Sequence, residues 1–392
     1  MFKSVFIGLG SLLAGILVTI GILIASGRFP VRFDNPVLTS FDVHKPQVVG
    51  FLPYWLLSKA DKKYEQYITT LTYFGLALAG DGSIQKLTNP QEQEPGWTAL
   101  NGDAYAAHLT DAKKNNLKNS LLVISGDDAV ISDMLQDPVA SAKNLMNDVA
   151  PIMKDKGFTD LNLDIESFIS ASPSGQQKFT EFVQSVKDQL VANHLGTLTV
   201  DLIPIALVSP KLYDARALGA IADSVVLMTY DYHYTGSFTA GAIAPVGGEG
   251  TSVEYDVETA VKEALKVMPK EKILLGIPLY GYEWETIDSA TESATIPEGS
   301  STASTERVAE ILSGCTNCTR GIDQFSKEPY VIYPENDYFN EIYYEDETSM
   351  GEKIALARKY SLGGVALWAL GYEDSTMLNP LADYKNSLSL SW

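Results

Sequence analysis

From residue 47 onward, eight short apolar runs are separated by stretches of helical character. They are Gln47–Trp55, Leu71–Ala79, Ser120–Ser125, Asp160–Glu166, Leu198–Pro204, Ser224–Asp231, Lys272–Tyr280 and Gly363–Leu370. Several are rich in Val, Ile and Leu at successive positions, so both faces are apolar, as in parallel strands covered on both sides. The intervening segments carry helix punctuation. Asp137-Pro138 pairs an N-cap with an N1 proline, and Lys154 to Gly157 closes that helix. Gln176–Leu190 and Val257–Met268 read as two more helices. Eight strands alternating with helices predict an α/β fold, a (β/α)8 TIM barrel. An open doubly wound sheet is the alternative, but no glycine-rich phosphate loop follows the first strand.

The gap from Tyr280 to Gly363 is far longer than one βα unit. It holds a Ser/Thr/Glu-rich segment (286–305), helical character near Thr305–Leu312, and strand-like runs at Tyr330–Tyr333 and Glu341–Tyr344. An inserted α+β subdomain (about 285–350) is therefore expected between the seventh and eighth strands. Residues 1–4 form a stub, and residues 5–26 contain no charged side chain. Those 22 residues reach roughly 33 Å as a helix, enough for the hydrocarbon core. A transmembrane signal anchor is expected there, with cleavage near Ala25-Ser26-Gly27 as the alternative. Either places the remainder outside the cytoplasm, anchored or secreted. Residues 27–46, with three prolines in Phe29–Pro46, read as a linker to a barrel domain over 47–392.

Charge narrows the partners. The net charge of −20 leaves no Lys/Arg excess to neutralise phosphates, so nucleic acid is not an expected partner, nor is a basic patch on an anionic membrane. A monomer is expected, with the membrane met only through the N-terminal helix. Four histidines, two cysteines and no H-E-x-x-H argue against a zinc site. No metal or organic cofactor is expected. His233 reads as a structural hydrogen-bonding residue. Cys315-Thr-Asn-Cys318 sits in the insertion without the context of a redox motif. In an oxidising compartment it is expected to be a local disulfide.

The run Leu161–Glu166 alternates strictly. Leu161, Leu163 and Ile165 share one face; Asn162, Asp164 and Glu166 share the other, about 6.6–7 Å apart along the strand. In a barrel the apolar face packs on helices and the polar face points inward. At the C-terminal end of a barrel strand, acids sit where such folds keep their chemistry. Two neighbouring carboxyls do not both ionise easily, so one stays protonated near neutrality and can protonate a leaving oxygen. A half-exposed strand with one wet face would show the same alternation.

Five segments agree with one family. Gly157-Phe-Thr-Asp-Leu-Asn-Leu-Asp-Ile-Glu166 resembles the fourth-strand signature D-x-x-D-x-D-x-E of glycoside hydrolase family 18, the chitinase-like enzymes. Met228-Thr-Tyr-Asp-Tyr-His233 resembles its sixth-strand M-x-Y-D-x-H. Gly276–Gly281 with Trp284 resembles the seventh strand, Gly363–Trp368 with Leu370-Gly371 the eighth, and Gly50–Trp55 the first. The inserted segment, with Glu328-Pro-Tyr and Ile342–Asp346, is similar to the bacterial branch of spore-germination and cell-wall glycosidases. Thr159 and Asn162 depart from the pattern where many members carry aspartates, and the bacterial branch resembles this chain at Asn162.

The resemblance implies a hydrolase of β-1,4 bonds next to N-acetylglucosamine-type sugars, in chitin-like oligosaccharides or peptidoglycan, by retaining, substrate-assisted catalysis. It implies Glu166 as general acid/base and Asp164 as the carboxylate that orients the acetamido group. Tyr230 and Asp231 would hold the acetamido group and the sugar, and Trp368 would floor the site. Asn162, Tyr54, Trp55, Tyr280, Trp284 and Met228 are further candidate sugar contacts. A non-catalytic, lectin-like barrel is the rival. It typically lacks the acid glutamate, which is present here as Glu166.

Overall fold

The computed structural model describes residues 43–387 and 389–390. Eight parallel strands close into a barrel: β1 (Gln47–Pro53), β2 (Thr70–Ala77), β3 (Lys118–Ser125), β4 (Asp160–Ile165), β5 (Thr197–Leu202), β6 (Ser224–Leu227), β7 (Ile273–Pro278) and β8 (Gly364–Trp368). Closure is direct, because β8 pairs with β7 on one side and β1 on the other. Each strand falls within or beside one of the eight apolar runs. A closed ring has no switch point, so the doubly wound alternative is excluded.

Helices cover the outside for reasons visible in the chain. In α1 (Pro138–Lys156), the Asp137 side chain accepts from the Ala140 N–H at 3.1 Å, and Gly157 ends the helix at φ 72°. That left-handed conformation favours glycine. Its buried stripe, Ala142, Leu145, Met146, Val149 and Met153, follows the helical repeat. In α2 (Pro173–Ala192), Ser172 caps the first turn and Pro173 occupies N1, so this helix starts three residues before the expected Gln176. Its Phe179, Phe182, Val183, Val186 and Leu190 are fully buried. Truncating one such side chain to alanine costs about 2–5 kcal/mol.

Between β7 and β8 lies a five-stranded antiparallel sheet. Its order is Thr295–Ala303, Gly281–Thr286, Tyr338–Tyr344, Pro329–Glu335 and Thr319–Ile322, with a helix at Thr305–Gly314. Its small core contains Val308, Val331, Tyr333 and Ile342. Arg307 binds Glu283 through two 3.0 Å hydrogen bonds and so fastens the helix to the sheet. The 286–305 segment is not all loop, since Thr295–Ala303 pairs along Gly281–Thr286. The sulfurs of Cys315 and Cys318 are bonded, across the turn between the helix and strand Thr319–Ile322. The expected anchor at residues 5–26 lies outside the described residues. Among the described residues, no helix is long and apolar enough to cross a membrane.

Candidate active site

β4 points Leu161, Leu163 and Ile165 at the helical layer, where they are at most 1% exposed. Asn162 and Asp164 therefore face the barrel interior and are also buried. Glu166 follows the last strand residue. Its N–H donates to the Ser125 carbonyl at 2.7 Å, and the Tyr213 hydroxyl donates to the Ile165 carbonyl at 2.6 Å. These bonds hold the strand end so that Glu166, half-buried, opens into a cavity of about 1070 Å³ at the barrel mouth.

Asp164, Glu166, Asp201, Tyr230, Asp231 and Trp368 line that cavity, as does Met228. Among the described residues, no lysine or arginine lines it. Burial lifts the Asp164 carboxyl well above its usual range, and the charge of Glu166 adds to the lift. Glu166 is raised too, first by burial, while its hydrogen bond with Asp164 pulls it back. The two carboxyls lie close enough to couple, so the pair retains a proton at pH values where an isolated carboxyl is ionised.

Past β6 the chain turns sharply. Asp231 has φ 59°, a left-handed conformation that aspartate tolerates better than most residues. Its Oδ1 accepts hydrogen bonds from Tyr280 at 2.6 Å and Tyr282 at 2.9 Å. Desolvation pushes this carboxyl up, and the two tyrosine hydroxyls oppose the shift. Trp368, at the end of β8, is held edge-on by Phe74 (4.5 Å between centroids), Phe51 (5.9 Å) and Trp55 (6.2 Å). The arrangement sets a flat apolar surface and a proton-bearing carboxyl pair in one cavity, suited to a sugar ring and its linking oxygen.

Five expected sugar contacts, Asn162, Tyr54, Trp55, Tyr280 and Trp284, are not part of the cavity lining. Trp284 is fully buried, with its indole N–H donating to the Tyr234 carbonyl at 3.1 Å. Tyr54 packs edge-on to Trp55, and neither ring lines the cavity. Tyr280 is 3% exposed and acts on Asp231. Asn162 is 1% exposed, one layer below Asp164. Asn162 is covered by the barrel layer above it, Tyr280 and Trp284 are engaged in hydrogen bonds to Asp231 and the Tyr234 carbonyl, and Tyr54 and Trp55 pack on each other beyond the end of β1. His233 Nδ1 donates to the Ala242 carbonyl at 2.8 Å. Sequence reasoning missed Asp201 and Tyr282. Asp201 had a signal, since Thr197, Thr199 and Asp201 alternate with Leu198, Val200 and Leu202.

Three comparisons bear on this geometry. The cortical fragment-lytic enzyme of Bacillus anthracis is 25% identical over 321 residues, covering 80% of this chain and 67% of that protein. The crystal structure of the Bacillus cereus spore cortex-lytic enzyme SleL is similar with TM-score 0.68 and 22% identity, over 87% of this chain and 75% of that one. The crystal structure of Ostrinia furnacalis Group IV chitinase reaches TM-score 0.75 at 20% identity, over 88% of this chain and all of that one. At these identities the structures show the shared fold. The model of the glycosyl hydrolases family 18 matches residues 47–373, nearly the whole barrel and its insertion, and the chain belongs to that family.

Proposed function

We propose that this family 18 glycosidase cleaves β-1,4 bonds next to N-acetylglucosamine-type sugars with retention of configuration. The observation that carries the proposal is the paired Glu166 and Asp164 at the cavity mouth, with Trp368 and Asp231 in the same lining. Relatives named as cortical fragment-lytic enzymes and chitinases support this substrate class.

In this reading the sugar lies on Trp368, and Tyr230 and Asp231 hold its acetamido group. Glu166 donates its proton to the bridging oxygen as the bond from that oxygen to C1 breaks. The acetamido oxygen of the same sugar bonds to C1 from the opposite face and closes a charged ring, which Asp164 orients and stabilises. Glu166, now a carboxylate, takes a proton from water. The water oxygen attacks C1 and the ring reopens, so two inversions give retention. Attack within one molecule gains from orientation, and no enzyme nucleophile is required.

The anchor expected at residues 5–26 belongs to the same proposal. It would hold the barrel outside the cytoplasm, where such glycans lie, and its support is the uncharged run in the sequence. The test is mass spectrometry of products after incubation with chitin oligomers and, separately, with purified peptidoglycan. Fragments ending in a new reducing N-acetylated sugar are expected. Binding of both glycans without fragments from either would replace the proposal with the lectin-like reading.

A further inference from the structure

β5 brings a carboxylate to β4. The β4–β5 register runs from Asp160↔Thr197 to Leu163↔Val200, so the next positions, Asp164 and Asp201, stand side by side on neighbouring strands. Asp201 is 3% exposed and touches the cavity. Its Oδ1 accepts a 3.0 Å hydrogen bond from Asn162 Nδ2. The remaining oxygen of that amide, Asn162 Oδ1, has no hydrogen-bond partner among the described residues, and neither does Asp164 Oδ1. Asn162 is the neutral residue that stands where the family pattern has an aspartate. The carboxyl absent from position 162 is thus present one strand away, hydrogen-bonded to that very residue.

We propose that Asp201 is a positioning residue for the hydrolysis: bonded to Asn162 and level with Asp164, it supplies from β5 the carboxyl that residue 162 lacks, so that three buried carboxyls crowd one site and a proton stays on the Asp164–Glu166 pair. This rests on the reading of Glu166 as the acid. Burial lifts the Asp201 carboxyl well above its usual range, with the bond from Asn162 opposing the lift, and Asp201 in turn helps to raise Asp164, whose Oδ1 has no donor among the described residues. Ionisation of any one of these carboxyls opposes ionisation of the others, and among the described residues no lysine or arginine lines the cavity to offset it. The groups that face Glu166 are Asp164 on β4, Asp201 on β5, Tyr213 in the loop after β5, Tyr230 and Asp231 after β6, and Tyr282 from the insertion. Of these, Asp201 is the one that contacts Asn162.

The test is a pH–rate profile on chitin oligomers for the wild type, Asp201→Asn, Asn162→Asp and the exchange Asn162→Asp/Asp201→Asn. Removing the carboxyl at 201 lowers the proton affinity of the pair. The alkaline limb of kcat/KM in Asp201→Asn is expected to fall by about one pH unit, with roughly tenfold lower kcat above the limb and KM little changed. The exchange is expected to return the limb toward the wild type. A folded Asp201→Asn whose limb does not move, or an exchange that restores nothing, overturns the proposal. If Asp201→Asn does not fold, Asn162→Asp decides: an added charge beside Asp201 raises the limb, and an unmoved limb contradicts us. A carbon-13 titration of Glu166 in the same variants reads the displacement without substrate. A wild type that cleaves nothing therefore overturns the functional reading alone, while the titration still decides on Asp201.

Discussion

Tyr280 donates a 2.6 Å hydrogen bond from its hydroxyl to Asp231 Oδ1, across the junction where the barrel chain leaves β7 for the inserted sheet. Tyr282, on the first strand of that sheet, donates to the same oxygen at 2.9 Å. The insertion therefore fixes the orientation of a carboxylate presented by a left-handed residue after β6. A hydrogen bond to a charged group contributes about 1.5–3 kcal/mol. Tyr280→Phe is expected to lower kcat/KM on N-acetylated oligosaccharides about tenfold with little change in melting temperature. Unchanged kinetics would show that Asp231 keeps its orientation without the Tyr280 bond.

Trp368 is packed edge-on by three aromatic rings, so its indole is pre-set rather than ordered by the ligand. Trp368→Ala is expected to weaken oligosaccharide binding roughly tenfold, about 1.4 kcal/mol, in titration calorimetry. An affinity equal to the wild type would mean that no sugar rests on this ring.

Lys353 is fully buried between two carboxylates, Glu345 at 2.7 Å and Glu328 at 3.3 Å. Glu328 also accepts from the Ile243 and Ala244 N–H groups at 2.8 and 2.7 Å. The cluster joins the insertion, the helix Glu347–Lys359 and the loop after β6. Removing one partner of a buried pair strands the other charges at a cost of about 3–5 kcal/mol. Lys353→Met is expected to lower the thermal midpoint by several degrees. Lys353→Met with Glu328→Gln and Glu345→Gln is expected to recover much of the loss, as differential scanning calorimetry would show.

Burial lifts the Glu341 carboxyl from its ordinary 4.5 to about 7, against the opposing pull of N–H groups from Glu292 and Ser293. The folded state therefore holds this proton more tightly than the unfolded chain. The resulting stability is fully present below pH 4.5, decreases as the unfolded carboxyl ionises, and is gone above about 7, a loss of roughly 3 kcal/mol. Asp160, raised by burial to about 6, acts with the same sign. Melting temperature is expected to fall from pH 5 to pH 8, and Glu341→Gln is expected to flatten that fall. An equal slope in the variant would show that Glu341 does not titrate in this range.

The barrel was legible because its strands are apolar on both faces, and the β4 alternation was legible because barrel interiors separate polar from apolar positions so sharply. Legibility failed where packing direction decides. Trp284 and Tyr54 sit near family motifs, but only the fold shows that Trp284 turns inward beneath Tyr234 and that Tyr54 leans on Trp55. Strand Thr295–Ala303 was hidden by its Thr, Ser, Gly and Glu content, because it is largely half-exposed or exposed and gains its order from pairing rather than burial. Asp201 was passed over as a single acid in an apolar run, and only the β4–β5 register reveals it as the neighbour of Asp164.

The most direct measurement compares Glu166→Gln with the wild type on chitin oligomers, by product formation and by calorimetric binding. The account predicts that the variant binds with near-unchanged affinity and yields products at least a thousandfold more slowly, a barrier increase of about 4 kcal/mol. Hydrolysis by Glu166→Gln at the wild-type rate would contradict it.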